Sequence, residues 1–324
     1  MKDKYRSVII GCGRIAGGYD GPNDKNILTH AHALTRHKNT VLSGVYDISF
    51  AKAASFAGKW STSAYRDINT LFKVIRPEIV FVCVPDKEHI KTLDFIKKFK
   101  PLAVICEKPL GVDISSARRI VSEYGQKRIA LSVNYTRRFY PAIRKIEKAI
   151  KNGDYGKLIN AAVFYTKGIL HNGSHAVDLL RFFFKDISES KALSSKVDFA
   201  KGDPTLDAML YFREGAKAHF IGLDERKFSI FEIDLLFSGA RIILLDGGTK
   251  YSLQKVIPHA DFPGYKCLGA KEILPTQKNK ALLSLVDNVV NHIEKGEPLL
   301  SSAGDALETK EVCCRLIKGY KDGR

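Results

Sequence analysis

Two glycines and a small residue, Gly11, Gly13 and Ala16, follow an apolar run in the stretch SVIIGCGRIAGGYD, and an acid, Asp47, closes a second such run in VLSGVYD. This set can hold a dinucleotide. The first glycine permits a tight turn after a strand, and the second lets backbone approach a pyrophosphate. The third small residue lets a helix pack on the strand, and N–H groups at that helix start face the anion. A carboxylate at the end of the next strand accepts hydrogen bonds from a ribose 2′-hydroxyl. It also repels the 2′-phosphate of NADP, so NAD is the expected cofactor. Lys52, one turn into the following helix, keeps NADP open.

Asp47 lies 31 residues after Ala16, where about 20 is usual. The excess falls in GGYDGPNDKNILT (17–29), rich in Gly, Asp and Asn, and reads as a surface insertion before HAHALTRH. It is either a lid or pocket wall beside the phosphate turn, or a tolerated loop.

The elements around this turn follow a repeating order. Short β-branched runs at 7–11, 41–47, 78–85, 102–107 and 129–135 alternate with helical patterns at 49–60, 67–75, 87–99 and 115–125. That alternation implies βαβ units and a parallel sheet. Ligands in such sheets bind beyond the carboxyl ends of the strands, which singles out Gly11 to Ala16, Asp47, Pro85 to His89, and Glu107 to Pro109. After residue 135 the pattern changes. A helix over 140–150 and another in GSHAVDLLRFFF accompany extended runs such as LINAAVFYT, DAMLYFR, KAHFIGL, FSIFEIDLLF and ARIILLD, and two helices close the chain. The expected fold is α/β: a Rossmann dinucleotide-binding domain over 1–130, and a substrate-binding and oligomerisation domain over 131–324 with a mainly antiparallel sheet.

The 324 residues are 45% hydrophobic and 27% charged, ordinary for a globular protein of two domains. No apolar run approaches the length that spans a bilayer. The charged start MKDKYRSVIIG passes straight into a strand, so no signal peptide is read and cytoplasm is the expected compartment. Six cysteines without a CxxC pair read as reduced thiols. The net charge of +17 comes from lysines set between apolar helix positions, as in HIKTLDFIKKFK, which is the pattern of solvated faces. Neither a nucleic acid nor a membrane is an expected partner, though a positive field suits an anionic cofactor or a phosphorylated substrate.

The segments GCGRIA, VCVPDKEH, EKPLGVDISSA, NYTRRFYPAIRKIEKAIKNGDYGKL and GSHAVDLLR, in this order, resemble the Gfo/Idh/MocA oxidoreductases. The resemblance spans the chain and weakens after residue 240. It implies a second domain with a large open-faced antiparallel sheet, association through that sheet as dimers or tetramers, and oxidation or reduction of a hydroxyl or ketone on a sugar, polyol or sugar derivative with NAD(H) or NADP(H). Gly11, Gly13, Arg14, Ile15 and Asp47 match cofactor positions. Pro85, Asp86 and His89 match a loop running past the cofactor, and Glu107 and Lys108 match the EKP motif beside the nicotinamide. His175 matches the active-site histidine, and Asp178 the acid three residues on. Where many members carry an aspartate four residues before that histidine, this chain has His171, and Asn172 is the candidate replacement contact. Of the arginines in RRF, Arg138 fits the family's substrate-side arginine better than Arg137.

On that resemblance, a lysine and a histidine would manage the one proton that leaves a hydroxyl as its carbon is oxidised. Lys108 is then a proton relay and carbonyl-polarising group, and His175 the acid/base or its partner. The spacing of His171, His175 and Asp178 imitates a metal set, but no metal is expected. A non-catalytic dinucleotide-binding regulator on the same fold is the alternative.

Overall fold

The β-branched runs of the N-terminal part become one parallel sheet: β1 (Tyr5–Ile10), β2 (Thr40–Tyr46), β3 (Ala64–Tyr65), β4 (Ile79–Val82), β5 (Ala103–Glu107) and β6 (Ala130–Asn134), in the order β3-β2-β1-β4-β5-β6. The structure is a computed structural model that describes residues 4–185, 187–213 and 215–322; Met1, Lys2 and Asp3, in the charged N-terminal stretch, lie outside it. The strands are buried on both faces. Val8, Ile10, Val80, Val82, Val104 and Val133 point into one core layer, while Ile9, Phe81 and Ile105 fill the other. Period-two alternation places successive side chains on opposite faces, so a strand covered on both sides must be apolar throughout.

Helices α1 (His30–Arg36), α2 (Phe50–Trp60), α3 (Ile68–Ile75), α4 (His89–Ile96) and α5 (Ile114–Gln126) connect these strands. Three of them, α1, α3 and α5, start on side-chain caps, α1 on Thr29. Asp67 accepts from the Thr70 N–H at 2.8 Å, and Asp113 from the Ser116 N–H at 2.8 Å; each cap contributes about 1 kcal/mol.

Between α4 and α5, Arg119 grips both oxygens of Asp94 at 2.7 Å, and Lys97 bridges Asp94 and Glu123. The Arg119 hydrogen bonds hold the Asp94 carboxyl at about 2, below its ordinary 3.8. A depressed carboxylate stabilises the fold above the unfolded value and loses that contribution as pH falls through the folded one. Asp94 is one-third exposed, so solvent screening reduces its contribution to about 1 kcal/mol. Asp94→Asn is expected to lower unfolding free energy by that amount at pH 7, with the difference from the unmodified protein closing between about pH 4 and pH 2. Urea titrations at several pH values measure it.

The chain forms two compact units. One runs to Phe139 and takes back Asn279–Leu307; the other holds Tyr140–Lys278 and the residues from Glu308 onward. A single expected boundary after residue 130 misses this return. The returning helix α8 (Ala281–Lys295) buries Leu282, Leu285, Val286 and Val289 against α1 and the turn Thr136–Phe139.

In the second unit, helices α6 (Pro141–Lys151) and α7 (Ser174–Phe184) accompany a nine-stranded sheet. Its strands are β7 (Leu158–Tyr165), β8 (Ile187–Ala200), β9 (Asp203–Phe212), β10 (Lys217–Gly222), β11 (Phe231–Phe237), β12 (Ala240–Leu245), β13 (Lys250–Pro258), β14 (Lys266–Leu268) and β15 (Glu272–Pro275). All pairings are antiparallel except β7 with β10. Four strands go beyond the sequence expectation: β8, β13, β14 and β15. Their stretches carry lysines, serines or glutamates where an alternating apolar pattern would have marked them. One face buries Ala161, Val163, Leu210, Phe220, Ile233, Leu235, Ile242 and Leu244. The opposite face, with Phe164, Met209, Ile221, Leu236 and Ile243, remains half-buried or exposed. The last helix, α9 (Ala303–Asp322), contributes to both units. Among the described residues, no helix is long and apolar enough to cross a membrane.

Candidate active site

The turn after β1 has the geometry its glycines require. Gly11 sits at φ +95°, and a Cβ there would lie 2.6 Å from the Cys83 carbonyl oxygen. Around the Cβ position of Gly13 there is open space to 4 Å. That combination of a tight turn and an uncovered backbone suits a pyrophosphate. Asp47 anchors the turn: its Oδ2 accepts from the Cys12 N–H at 2.8 Å and its Oδ1 from the Ser49 N–H at 2.9 Å. The carboxylate keeps further lone pairs for a ribose. Burial, helped by Asp47, pushes the Cys12 thiol up to about 12, so it stays protonated and unreactive.

One expectation is corrected here. The turn leads into a five-residue π-helical turn, Arg14–Gly18, in place of a full helix, and the first α-helix begins only at His30. Gly17 and Gly18 favour no helix, and the Gly17 carbonyl is taken by Trp60 Nε1 at 3.2 Å and Lys59 Nζ at 2.9 Å. Anion binding must therefore rest on the turn's own amides. Arg14 is exposed beside them and Ile15 half-buried.

Asp47→Ala removes the acceptor of two backbone N–H groups and the carboxylate available to a ribose. A loss of about 1–3 kcal/mol in NAD binding is expected, with a smaller loss for NADP, so the NAD-to-NADP affinity ratio falls. Calorimetric titration with both dinucleotides measures it.

The insertion 17–29 is fastened at one residue. Asp20 is 5% exposed and accepts from the Leu28 N–H at 2.6 Å and the Thr29 hydroxyl, while His32 Nδ1 lies 2.8 Å from its Oδ2. Thr29 also caps α1. The segment thus sets the start of α1 and brings His30 to the end of β5. There, His30 Nε2 lies 2.7 Å from Glu107 Oε1, which also accepts from Asn134 Nδ2 at 2.7 Å. Sequence reasoning passed over His30, Asn134 and Asp20. The one signal was the polar pair in THAHAL, set against an apolar helix face, and it bears on His30 alone.

Burial raises the Glu107 carboxyl, but the bonds from His30 and Asn134 and the neighbouring His30 and His89 outweigh it, holding the group below the ordinary carboxylate range. Lys108, the next residue, is half-buried at the strand end. Pro85 and Asp86 are exposed on the loop after β4. His89, expected to face the cofactor, is fully buried. Its Nδ1 lies 2.7 Å from the Pro109 carbonyl and its Nε2 2.9 Å from that of Val84, so neither nitrogen is left for a ligand.

Arg138 departs from expectation as well. It is 2% exposed, donates to the Leu300 carbonyl at 2.8 Å and pairs with Asp305 at 3.2 Å. A buried guanidinium must be paired, and here the pairing holds the 300–305 segment instead of a substrate.

In the second unit, His171 and Asn172 lie on a π-helical turn, Gly168–Gly173, that leads into α7. Asp203 fixes this turn by accepting from the Leu170 and His171 N–H groups, both at 2.7 Å. The Asn172 amide donates to the Thr166 carbonyl at 3.0 Å, so one of its two N–H donors is committed to the turn. His171 is exposed, with its ring 4.8 Å from Phe199. His175 is half-buried and meets the Phe231 ring edge-on at 6.4 Å. Asp178 is 1% exposed, with Thr309 Oγ1 at 3.4 Å; as the inward face of α7 it supports the helix and is closed to a ligand.

Residues 5–135 match the family described as "Oxidoreductase family, NAD-binding Rossmann fold" (GFO_IDH_MocA). An inositol 2-dehydrogenase of Rhizobium meliloti (strain 1021) is 23% identical over 343 aligned residues, spanning 98% of each chain. Among solved structures, the WlbA dehydrogenase of Bordetella pertussis in complex with NADH and UDP-GlcNAcA is similar at 16% identity, with a TM-score of 0.79 over 99% of this chain and 97% of that one. An oxidoreductase of Agrobacterium radiobacter in complex with NAD+, L-tartaric acid and magnesium gives 18% and 0.77, over 99% and 97%. At such identities the structural likeness is one of fold. The family match covers residues 5–135, the whole parallel sheet that the Gly11 turn serves.

Proposed function

We propose that this protein is an NAD-dependent dehydrogenase or reductase acting on a hydroxyl or ketone carbon of a sugar, polyol or sugar derivative. The observation that carries the reading lies in the first unit. The Gly11 turn, the Val84–Pro85 loop and Lys108 all leave the same edge of the adjacent parallel strands β1, β4 and β5, which is the edge where such sheets bind ligands. NAD, when bound there, supplies the hydride acceptor. The chain's task is then the proton: Lys108 Nζ takes it from the substrate hydroxyl as the carbonyl forms, and His175 acts as acid/base or as its partner. Glu107, held by His30 and Asn134, keeps the lysine's strand end fixed.

The names of the relatives favour cyclitols and nucleotide-linked sugars, and exposed His171 is the residue that would adapt the pocket to its substrate. The test is a panel of free cyclitols, free sugars, sugar phosphates and UDP-linked sugars with NAD+, read at the nicotinamide absorbance. Turnover of one class supports the reading. Tight NAD binding without turnover on any of them favours the non-catalytic regulator.

The half-open face of the second sheet, with Phe164, Met209, Ile221, Leu236 and Ile243, suits a second copy of the chain. Exposed apolar side chains such as Ile221 and Leu236 are costly to leave in water, and Glu232 and the Asp234–Arg241 ion pair share their face. A homodimer or homotetramer is therefore expected by analytical ultracentrifugation, and cytoplasm as the compartment. Ile221→Lys together with Leu236→Lys should shift the protein to monomers; an unchanged sedimentation coefficient would remove this face from the interface.

A further inference from the structure

We propose that His89 is a positioning residue: a buried imidazolium that donates from both ring nitrogens, to the Val84 and Pro109 carbonyls, and so clamps the loop after β4 to the turn that bears Lys108. The argument begins with the partners. A carbonyl oxygen only accepts, and both ring nitrogens lie within hydrogen-bond distance of one, at 2.7 and 2.9 Å. A neutral imidazole has one N–H and one lone pair. In this position it would set that lone pair against an oxygen lone pair, fully buried, where an unmade bond costs most. Two donors mean two protons and one positive charge.

A buried charge requires an opposite one nearby, and Glu107 supplies it. His89 is among the groups that keep the Glu107 carboxyl ionised, together with His30 and Asn134. The other titratable groups around this cluster are the thiols of Cys83 and Cys106, which burial and Glu107 raise, and Asp86 in the turn that opens α4. His30 faces Glu107 from α1 through Nε2, and its buried Nδ1 has no hydrogen-bond partner among the described residues. The carboxylate thus meets one histidine directly and offers a counter-charge to a second, on a different helix. One of them acts on Glu107 itself, and the other on the carbonyl that follows Lys108.

The role in turnover rests on the reading of Lys108 given above; the protonation state of His89 does not. The first measurement is therefore made on the unmodified protein without substrate. Long-range nitrogen–proton correlation NMR of the His89 ring should show a proton on both nitrogens at neutral pH. One bare ring nitrogen would overturn the clamp. The second is His89→Gln, which cannot donate in two opposed directions. It should lower kcat by about tenfold or more, the scale of a misplaced catalytic group, while KM for the sugar and Kd for NAD move by no more than about threefold. An unchanged kcat would overturn the positioning role. Lys108→Met separates the two readings: turnover surviving in that variant sinks the assignment of Lys108, whereas a doubly protonated His89 ring still stands by itself.

Discussion

Lys108→Met is expected to reduce turnover by about 10²–10⁴-fold while NAD affinity stays within about threefold. The substitution keeps the length and apolar stem of the side chain and removes only the amine nitrogen that would take the hydroxyl proton. Glu107 remains bonded to His30 and Asn134, so the strand end keeps its conformation. Loss confined to kcat marks a group used in the transition state, whereas a raised KM at constant kcat would mark a binding group. Stopped-flow absorbance at saturating cofactor, alongside calorimetric NAD titration, distinguishes them. Turnover within tenfold of the unmodified enzyme would remove Lys108 from the chemistry.

Gly11→Ala has the other large effect, and it acts on binding and stability together. At φ +95° a side chain costs about 1–2 kcal/mol of backbone energy. The new Cβ would also lie 2.6 Å from the carbonyl oxygen of Cys83, the residue just after β4, whose N–H donates to the Ile10 carbonyl at 2.8 Å. The strand ends must separate to admit it, and they are the floor of the turn. We expect NAD affinity to fall by more than about tenfold, with a loss of about 2–4 kcal/mol in unfolding free energy. Fluorescence titration with NADH and urea denaturation measure the two effects. Gly13→Ala is the control. Its Cβ meets nothing within 4 Å, so stability should hold while affinity drops, because the methyl group fills space left for the pyrophosphate.

Amino-acid order alone determined the class of fold and the position of the nucleotide edge. Runs such as VFVCV and AVICE are too apolar to be anything but strands covered on both faces, and their alternation with short helices leaves few topologies. The glycine turn and Asp47 were legible for the same reason: local backbone demands are met by local residue types. The tertiary structure decided everything that depends on partners distant in sequence. Arg138 reads as a substrate residue until Leu300 and Asp305 occupy it. His89 reads as a cofactor residue until Val84 and Pro109 occupy it. The insertion reads as a loop until Asp20, Thr29 and His32 make it the support that delivers His30 to Glu107. The return of α8 to the first unit and the polar strand β8 were hidden likewise. Side-chain hydrogen bonds and helix docking leave no period in the sequence, because each joins residues whose separation along the chain is arbitrary; only the folded backbone sets which of them meet.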